Sequence, residues 1–245
     1  MCEKCSLPDG AAQLRPSRRS LFGFLGLAAG GMVAAPALAK EAKAPPKPGN
    51  VVSPDAALEL LSKGNKRYVE GVSRRHDFKH EREALVSGQN PYAAILSCAD
   101  SRIAPEYAFD TGRGDIFVCR VAGNFANIDT IASMEYAVAI LKAPLIMVVG
   151  HDGCGALDST IKSLKDNSTL PGHLPSLVTA LAPAVQASAG RPGDALDNAI
   201  RQNVIDNVAK LKSASPILDA AVKDGKIKVV GGVYRLASGR VETVA

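Results

Sequence analysis

Three short runs of uncharged, apolar residues constrain this fold most. They are Tyr92-Ala93-Ala94-Ile95-Leu96, Ile116-Phe117-Val118-Cys119 and Leu145-Ile146-Met147-Val148-Val149-Gly150. None alternates apolar with polar, so none suits a strand with one wet face. Each reads as a strand buried on both faces, the pattern of a parallel sheet. Ile227 through Tyr234 gives a fourth strand, and Gly239 turns the chain into a short final one. Helical segments lie between. Ser53-Pro54-Asp55 combines a cap, a first-turn proline and an acid at the positive dipole end. Ala57, Leu58, Leu61, Tyr68 and Val69 then follow helical spacing as far as Gly71, and Asp77 caps a second helix running through Val86. Asp129 through Lys142 and the stretches 155–166, 174–188, 194–212 and 216–224 read as further helices. Strands alternating with helices predict an α/β fold, with a mostly parallel central sheet of about four to five strands flanked by helices.

Residues 1–39 do not fit this pattern. Arg18-Arg19 precede an apolar run that carries no charge from Leu21 to Ala39 and ends in Ala37-Leu38-Ala39, an A-x-A-like cleavage site. Paired arginines before a Gly- and Ala-rich, weakly apolar core resemble a twin-arginine export signal. The alternative is an uncleaved membrane anchor, since the run is just long enough to span a bilayer; its glycines and Pro36 weaken that option. Cys2 and Cys5 form a C-x-x-C in this leader with no visible scaffold around them and are taken as incidental. Residues 40–50, KEAKAPPKPGN, form a Pro-rich linker. The folded domain is expected to cover 51–245, a length that supports one substantial core.

Charge adds little. The chain carries +5, and loss of residues 1–39 leaves +3, with no basic block for nucleic acid. It has no Trp and only 4% aromatic residues, which argues against a base-stacking platform. The expected partner is a small-molecule substrate, with no nucleic acid and no stable membrane insertion once the leader is removed.

Two loops concentrate the chemistry. Ser97-Cys98-Ala99-Asp100-Ser101-Arg102 follows the first strand, and Gly150-His151-Asp152-Gly153-Cys154-Gly155 follows the third. Both fall at carboxyl ends of parallel strands, where open α/β sheets place their ligand sites. Cys98, His151 and Cys154 supply two thiolates and an imidazole, a good set for Zn2+. On an extended loop, Asp100 and Arg102 point the same way as Cys98, toward the same metal. Two plainer readings compete: a buried cysteine that only packs, and a closed structural zinc site with Asp100 as fourth ligand. Arg102 counts against the second, because a structural site gains little from a cation competing for its carboxylate. Cys119 is expected to be a core thiol. His76 and His80 are expected to be solvated, and His173 has no assigned role; any histidine near the site is a proton-shuttle candidate.

These motifs resemble the β-class carbonic anhydrases. S-C-A-D-S-R at 97–102 with Pro105-Glu106, and H-D-G-C-G-A at 151–156, are similar to that family's two metal motifs. G-D-I-F-V-C-R-V-A-G-N at 114–124 and M-E-Y-A-V at 134–138 also fit, and weaker matches extend the likeness from about 54 to 245. The resemblance implies a zinc enzyme that reversibly hydrates CO2 to bicarbonate and a proton through attack by zinc-bound hydroxide. Cys98, His151 and Cys154 would hold the metal, and Asp100 and Arg102 would form the catalytic dyad. Asp100 is also the fourth ligand of a closed state, from which Arg102 would draw it away. Gly153 and Gly155 would leave room for a small substrate and supply backbone donors. The resemblance further implies a homodimer or higher homo-oligomer. Hydrolysis of CS2 or COS on the same scaffold is the rival activity, and a non-catalytic zinc-stabilised binding protein is the rival class. Two departures stand out. Family members with an allosteric bicarbonate pocket carry a Trp where this chain has Ile95, although Arg120 and Tyr136 match other pocket positions. Arg235 stands where an acid is more usual.

Overall fold

The computed structural model describes residues 52–245. The leader and the whole linker lie outside the described residues, and so does Val51. The chain runs α1 (Pro54–Val69), α2 (Phe78–Leu85), β1 (Ala93–Ser97), α3 (Pro105–Ala108), β2 (Ile116–Arg120), α4 (Ile128–Ala139) and β3 (Leu145–His151). It continues through α5 (Gly155–Lys165), α6 (Pro175–Ser188), α7 (Ala195–Lys212), α8 (Ile217–Lys223), β4 (Lys228–Tyr234) and β5 (Val241–Thr243). The five strands form one sheet in the order β2-β1-β3-β4-β5, parallel except for β5. This is the predicted α/β architecture.

Local signals account for several helix starts. The Ser53 hydroxyl accepts the Ala56 N–H at 3.2 Å, and Pro54 opens α1. Asp77 caps α2 through His80 N–H. Asn127 and Thr130 form a reciprocal capping box on α4. The sequence pattern did not signal α3, which is a single turn opened by Pro105. Gly239, in its left-handed conformation, redirects the chain into β5.

The sheet order positions the site. From β1 the chain moves to one side to make β2, then returns to the other side to make β3. The crevice between the carboxyl ends of β1 and β3 is therefore a topological switch point. Register pairs Ser97 with Val149, so Cys98 emerges at the level of Gly150 and beside His151. Every residue of β1 and β3 is buried, but β2 corrects the expectation of burial on both faces: it is an edge strand in which only Ile116 is buried. Helix α7 covers this centre closely. A Cβ on Gly150 would lie 2.8 Å from Val204 Cγ2, so the helix can approach β3 only because glycine stands there.

Candidate metal centre

The ligand atoms of Cys98, His151 and Cys154 all lie within 4.8 Å of one another. The three residues are 4%, 0% and 1% exposed. Each comes from a strand end or a helix start. Cys98 follows β1, His151 ends β3, and Cys154 is the N-cap of α5, where the helix dipole and the Ala156 and Leu157 amides favour a negative sulfur. The imidazole is oriented by its neighbour. His151 Nδ1 lies 2.9 Å from the Asp152 carbonyl, which can only accept, so Nδ1 carries the proton and Nε2 presents its lone pair. Nε2 is buried and has no hydrogen-bond partner among the described residues. Buried polar atoms are normally paired. An unpaired imidazole nitrogen facing two sulfurs fits a tetrahedral, thiolate-binding ion such as Zn2+.

The two sulfurs share charge unequally in the protein alone. The neighbouring Cys154 and the Gly123 N–H hold the Cys98 thiol below its ordinary range. Cys154 is pushed up by the neighbouring Cys98 and by burial. At His151, burial opposes charge on the ring, but the neighbouring Cys98 thiolate outweighs it and the net shift is upward. The pocket thus already favours one negative sulfur.

Asp100 and Arg102 do meet, but not along an extended strand as the sequence pattern suggested. The loop turns at Ser101–Arg102, and Ile103 N–H bonds back to the Asp100 carbonyl. Arg102 folds over this turn and grips both carboxylate oxygens, through Nε at 2.9 Å and Nη2 at 2.8 Å, while its own backbone N–H adds a third bond. These bonds hold the Asp100 carboxyl well below the usual carboxylate range. Asp100 Oδ2 stands 3.8 Å from His151 Nε2, at the mouth of the cluster. Arg102 Nη2 also donates to the Gly153 carbonyl at 3.1 Å, which ties the two loops together. Gly153 adopts φ +62 and contributes that carbonyl, and Gly155 begins α5 with open space at its Cα.

Some assigned residues have other surroundings. Arg120 donates to the carbonyls of Cys98, Asp100 and Ile103 and so braces the Cys98 loop. Tyr136 is half exposed and tilts against Phe117, while Ile95 is fully buried in β1. Arg235 bridges Asp197 and Glu242, locking α7 to β5 and so accounting for the unusual cation there. His80 is exposed and paired with Asp77, as a solvated residue should be. His76 corrects the expectation: its side chain is 20% exposed and bonds Glu81 at 3.0 Å. It lines a cavity of about 670 Å3 with Tyr68, Phe78, Tyr107 and Arg113, which shares no lining residue with the metal cluster. Cys119 is half buried. The sequence pattern gave no sign that the Gly123 amide contacts Cys98.

A sequence model of the carbonic anhydrase family matches residues 93–241. Carbonic anhydrase 2 of Mycobacterium tuberculosis is 36% identical over 189 residues, spanning 77% of this chain and 91% of the relative. The carbonic anhydrase of Mycolicibacterium smegmatis is 37% identical over 191 residues, spanning 78% and 93%. Among solved structures, a Coccomyxa β-carbonic anhydrase in complex with acetazolamide has 27% identity and a TM-score of 0.57, covering 78% of this chain and 82% of its own. A tetrameric β-carbonic anhydrase of Sordaria macrospora shares the fold, with a TM-score of 0.62 at 24% identity over 78% of this chain and 98% of its own. With its motifs meeting in one buried cluster at the switch point of the sheet, the chain belongs to the β-class carbonic anhydrase family.

Proposed function

We propose that the protein is a zinc-dependent carbonic anhydrase, converting CO2 and water to bicarbonate and a proton. The observation that carries this is the convergence of Cys98, His151 and Cys154 with Asp100 at the mouth of the cluster. When bound by these three residues, zinc lowers the pKa of a coordinated water and supplies a nucleophile near neutral pH.

The chain's own residues do the rest. Asp100 stays ionised because Arg102 holds both its oxygens. A carboxylate only accepts hydrogen bonds, so Asp100 would accept one from the attacking water and aim its oxygen lone pair at the carbon of CO2. Its depressed pKa makes it a poor store for the proton, which leaves to solvent. Arg102 keeps the carboxylate turned toward itself. Its bond to the Gly153 carbonyl fixes the two loops at one spacing, so Asp100 and the ligands keep register. The Asp152 carbonyl keeps His151 in the tautomer that presents Nε2.

The comparisons favour CO2 hydration over CS2 or COS hydrolysis and over a non-catalytic binding role, since the named relatives are carbonic anhydrases. Stopped-flow CO2 hydration on purified protein, with zinc measured on the same sample, tests it. Full zinc occupancy with no hydration from about pH 7 to 9, where the nucleophile should form, would sink it.

Two further features belong to the same reading. The paired arginines and apolar run support export to the periplasm by a twin-arginine route, with residues 1–39 removed. Replacing Arg18 and Arg19 by lysine should trap the precursor in the cytosol, and normal export would refute this route. The tetrameric relative supports a homo-oligomer, which light scattering on the mature protein would check.

A further inference from the structure

Cys98 is held from a direction the ligand set alone does not require. The Gly123 N–H donates to its sulfur over 3.3 Å in a fully buried position. Gly123 lies in the turn after β2 at φ +87, and a Cβ there would come within 2.8 Å of Leu181. Helix α7 anchors this turn. Asn203 Nδ2 donates to the Gly123 carbonyl at 2.8 Å. One helical turn on, Asn207 Oδ1 accepts the Ala126 N–H at 2.7 Å, and its Nδ2 donates to Asn203 O and Oδ1 at 2.7 and 3.0 Å. Lys210 Nζ closes on the Ala126 carbonyl at 2.6 Å. Asn203 and Asn207 are 2% and 6% exposed. Burying two amides costs free energy unless they are bonded, and these bonds go to each other and to the turn that carries Gly123. The helix itself cannot slide freely, because Val204 fills the space over Gly150 and Gly231.

We infer that Asn203 and Asn207 are positioning residues for the metal ligand, setting the Gly123 N–H against the Cys98 sulfur. This rests on the metal reading of the cluster. A hydrogen bond to a thiolate draws charge from sulfur, so the ligand donates less to the metal. That offsets part of the Lewis acidity lost to two thiolates, and it fixes where the sulfur sits.

The test is the full chain depleted of zinc and loaded with Co2+, read by its sulfur-to-cobalt charge-transfer band, with zinc affinity measured in parallel. Asn203→Ala should move the band to longer wavelength, because the sulfur regains charge, and weaken zinc binding about tenfold, because the sulfur is no longer fixed in place. Asn207→Ala should shift both in the same direction by less. Val204→Ala loosens the same helix without touching the amides, so it should lower Tm and leave the band in place. A wild-type band and affinity in Asn203→Ala overturns the inference; if that variant does not fold, the same result in Asn207→Ala does so. An equal band shift in Val204→Ala also overturns it, because packing alone would then suffice. Absence of any charge-transfer band in the wild type would overturn the metal reading itself, and the inference with it.

Discussion

Two aspartates on one stretch each pair with an arginine, Asp100 with Arg102 and Asp110 with Arg67. The first sits beside the Cys98–His151–Cys154 cluster; the second lies on the segment leading into β2. Asp100's side chain is 18% exposed and its arginine 53%. Asp110's is 3% exposed, and Arg67, at the end of α1, is 25%. Asp110 also accepts the Arg74 N–H at 3.0 Å and sits at φ +44, a conformation its surroundings must hold. Arg67 must be brought from a distant helix, whereas Arg102 needs only one turn of its own loop. A local, wet pair orders little chain and can open, so it suits a carboxylate that must stay available to a reacting water. A long-range, dry pair joins elements, so its loss is felt by the fold.

The largest expected difference is in turnover. Asp100→Ala should lower kcat/KM for CO2 hydration at least about 100-fold, the scale of losing one oriented polar group, while zinc content and Tm stay near wild type. Stopped-flow kinetics with metal analysis and a thermal melt would show it, and retained turnover would break the contrast. Asp110→Ala should do the reverse. Removing one partner of a buried pair costs about 3 kcal/mol, seen as a lower urea midpoint with unchanged slope, while kcat/KM per folded, zinc-loaded molecule stays close to wild type. Arg102→Lys should cost roughly tenfold in kcat/KM, since an ammonium cannot grip both carboxylate oxygens and the Gly153 carbonyl together.

The smallest effect is in acid. Burial works to raise the Asp110 carboxyl, but the Arg67 hydrogen bond and the Arg74 amide outweigh it, so its folded pKa lies below the ordinary value. A depressed folded pKa means the stabilisation is fully present above about pH 4 and is lost as pH falls through the folded value. Acid unfolding curves of wild type and Asp110→Asn should therefore converge at low pH and separate above it. Parallel curves across that window would show that this carboxylate is not linked to folding.

Much of the fold is legible in the sequence. The apolar runs of β1 and β3 lack alternation because both faces are covered, and that absence alone marks a parallel sheet. Helix starts at Ser53 and Asp77 carry local caps that act within three residues. The one-turn α3 was not legible, because a single turn has no period to detect. The Cys98–His151–Cys154 cluster was legible by residue type, as few roles other than metal binding unite two cysteines and a histidine at strand ends. Asp100 and Arg102 were correctly brought together, but by the wrong backbone, since parity along an extended chain and closure across a turn both place neighbours two apart on one side. His76 stood in a charged stretch and looked solvated, yet it is largely covered and paired with Glu81.

The sequence by itself determined most element types, the sheet class and the donor chemistry of the Cys98–His151–Cys154 cluster. Those follow from capping, periodicity and donor identity, which act over a few residues. Only the tertiary structure decided the order of the strands, the grip of Arg102 on both Asp100 oxygens and the Gly153 carbonyl, and the reach of Asn203 to the turn beside Cys98. Each of those depends on which distant surfaces pack together. A hydrogen bond closing across the fold leaves no periodic trace in the chain; its donor and acceptor meet only after the helices have settled onto the sheet.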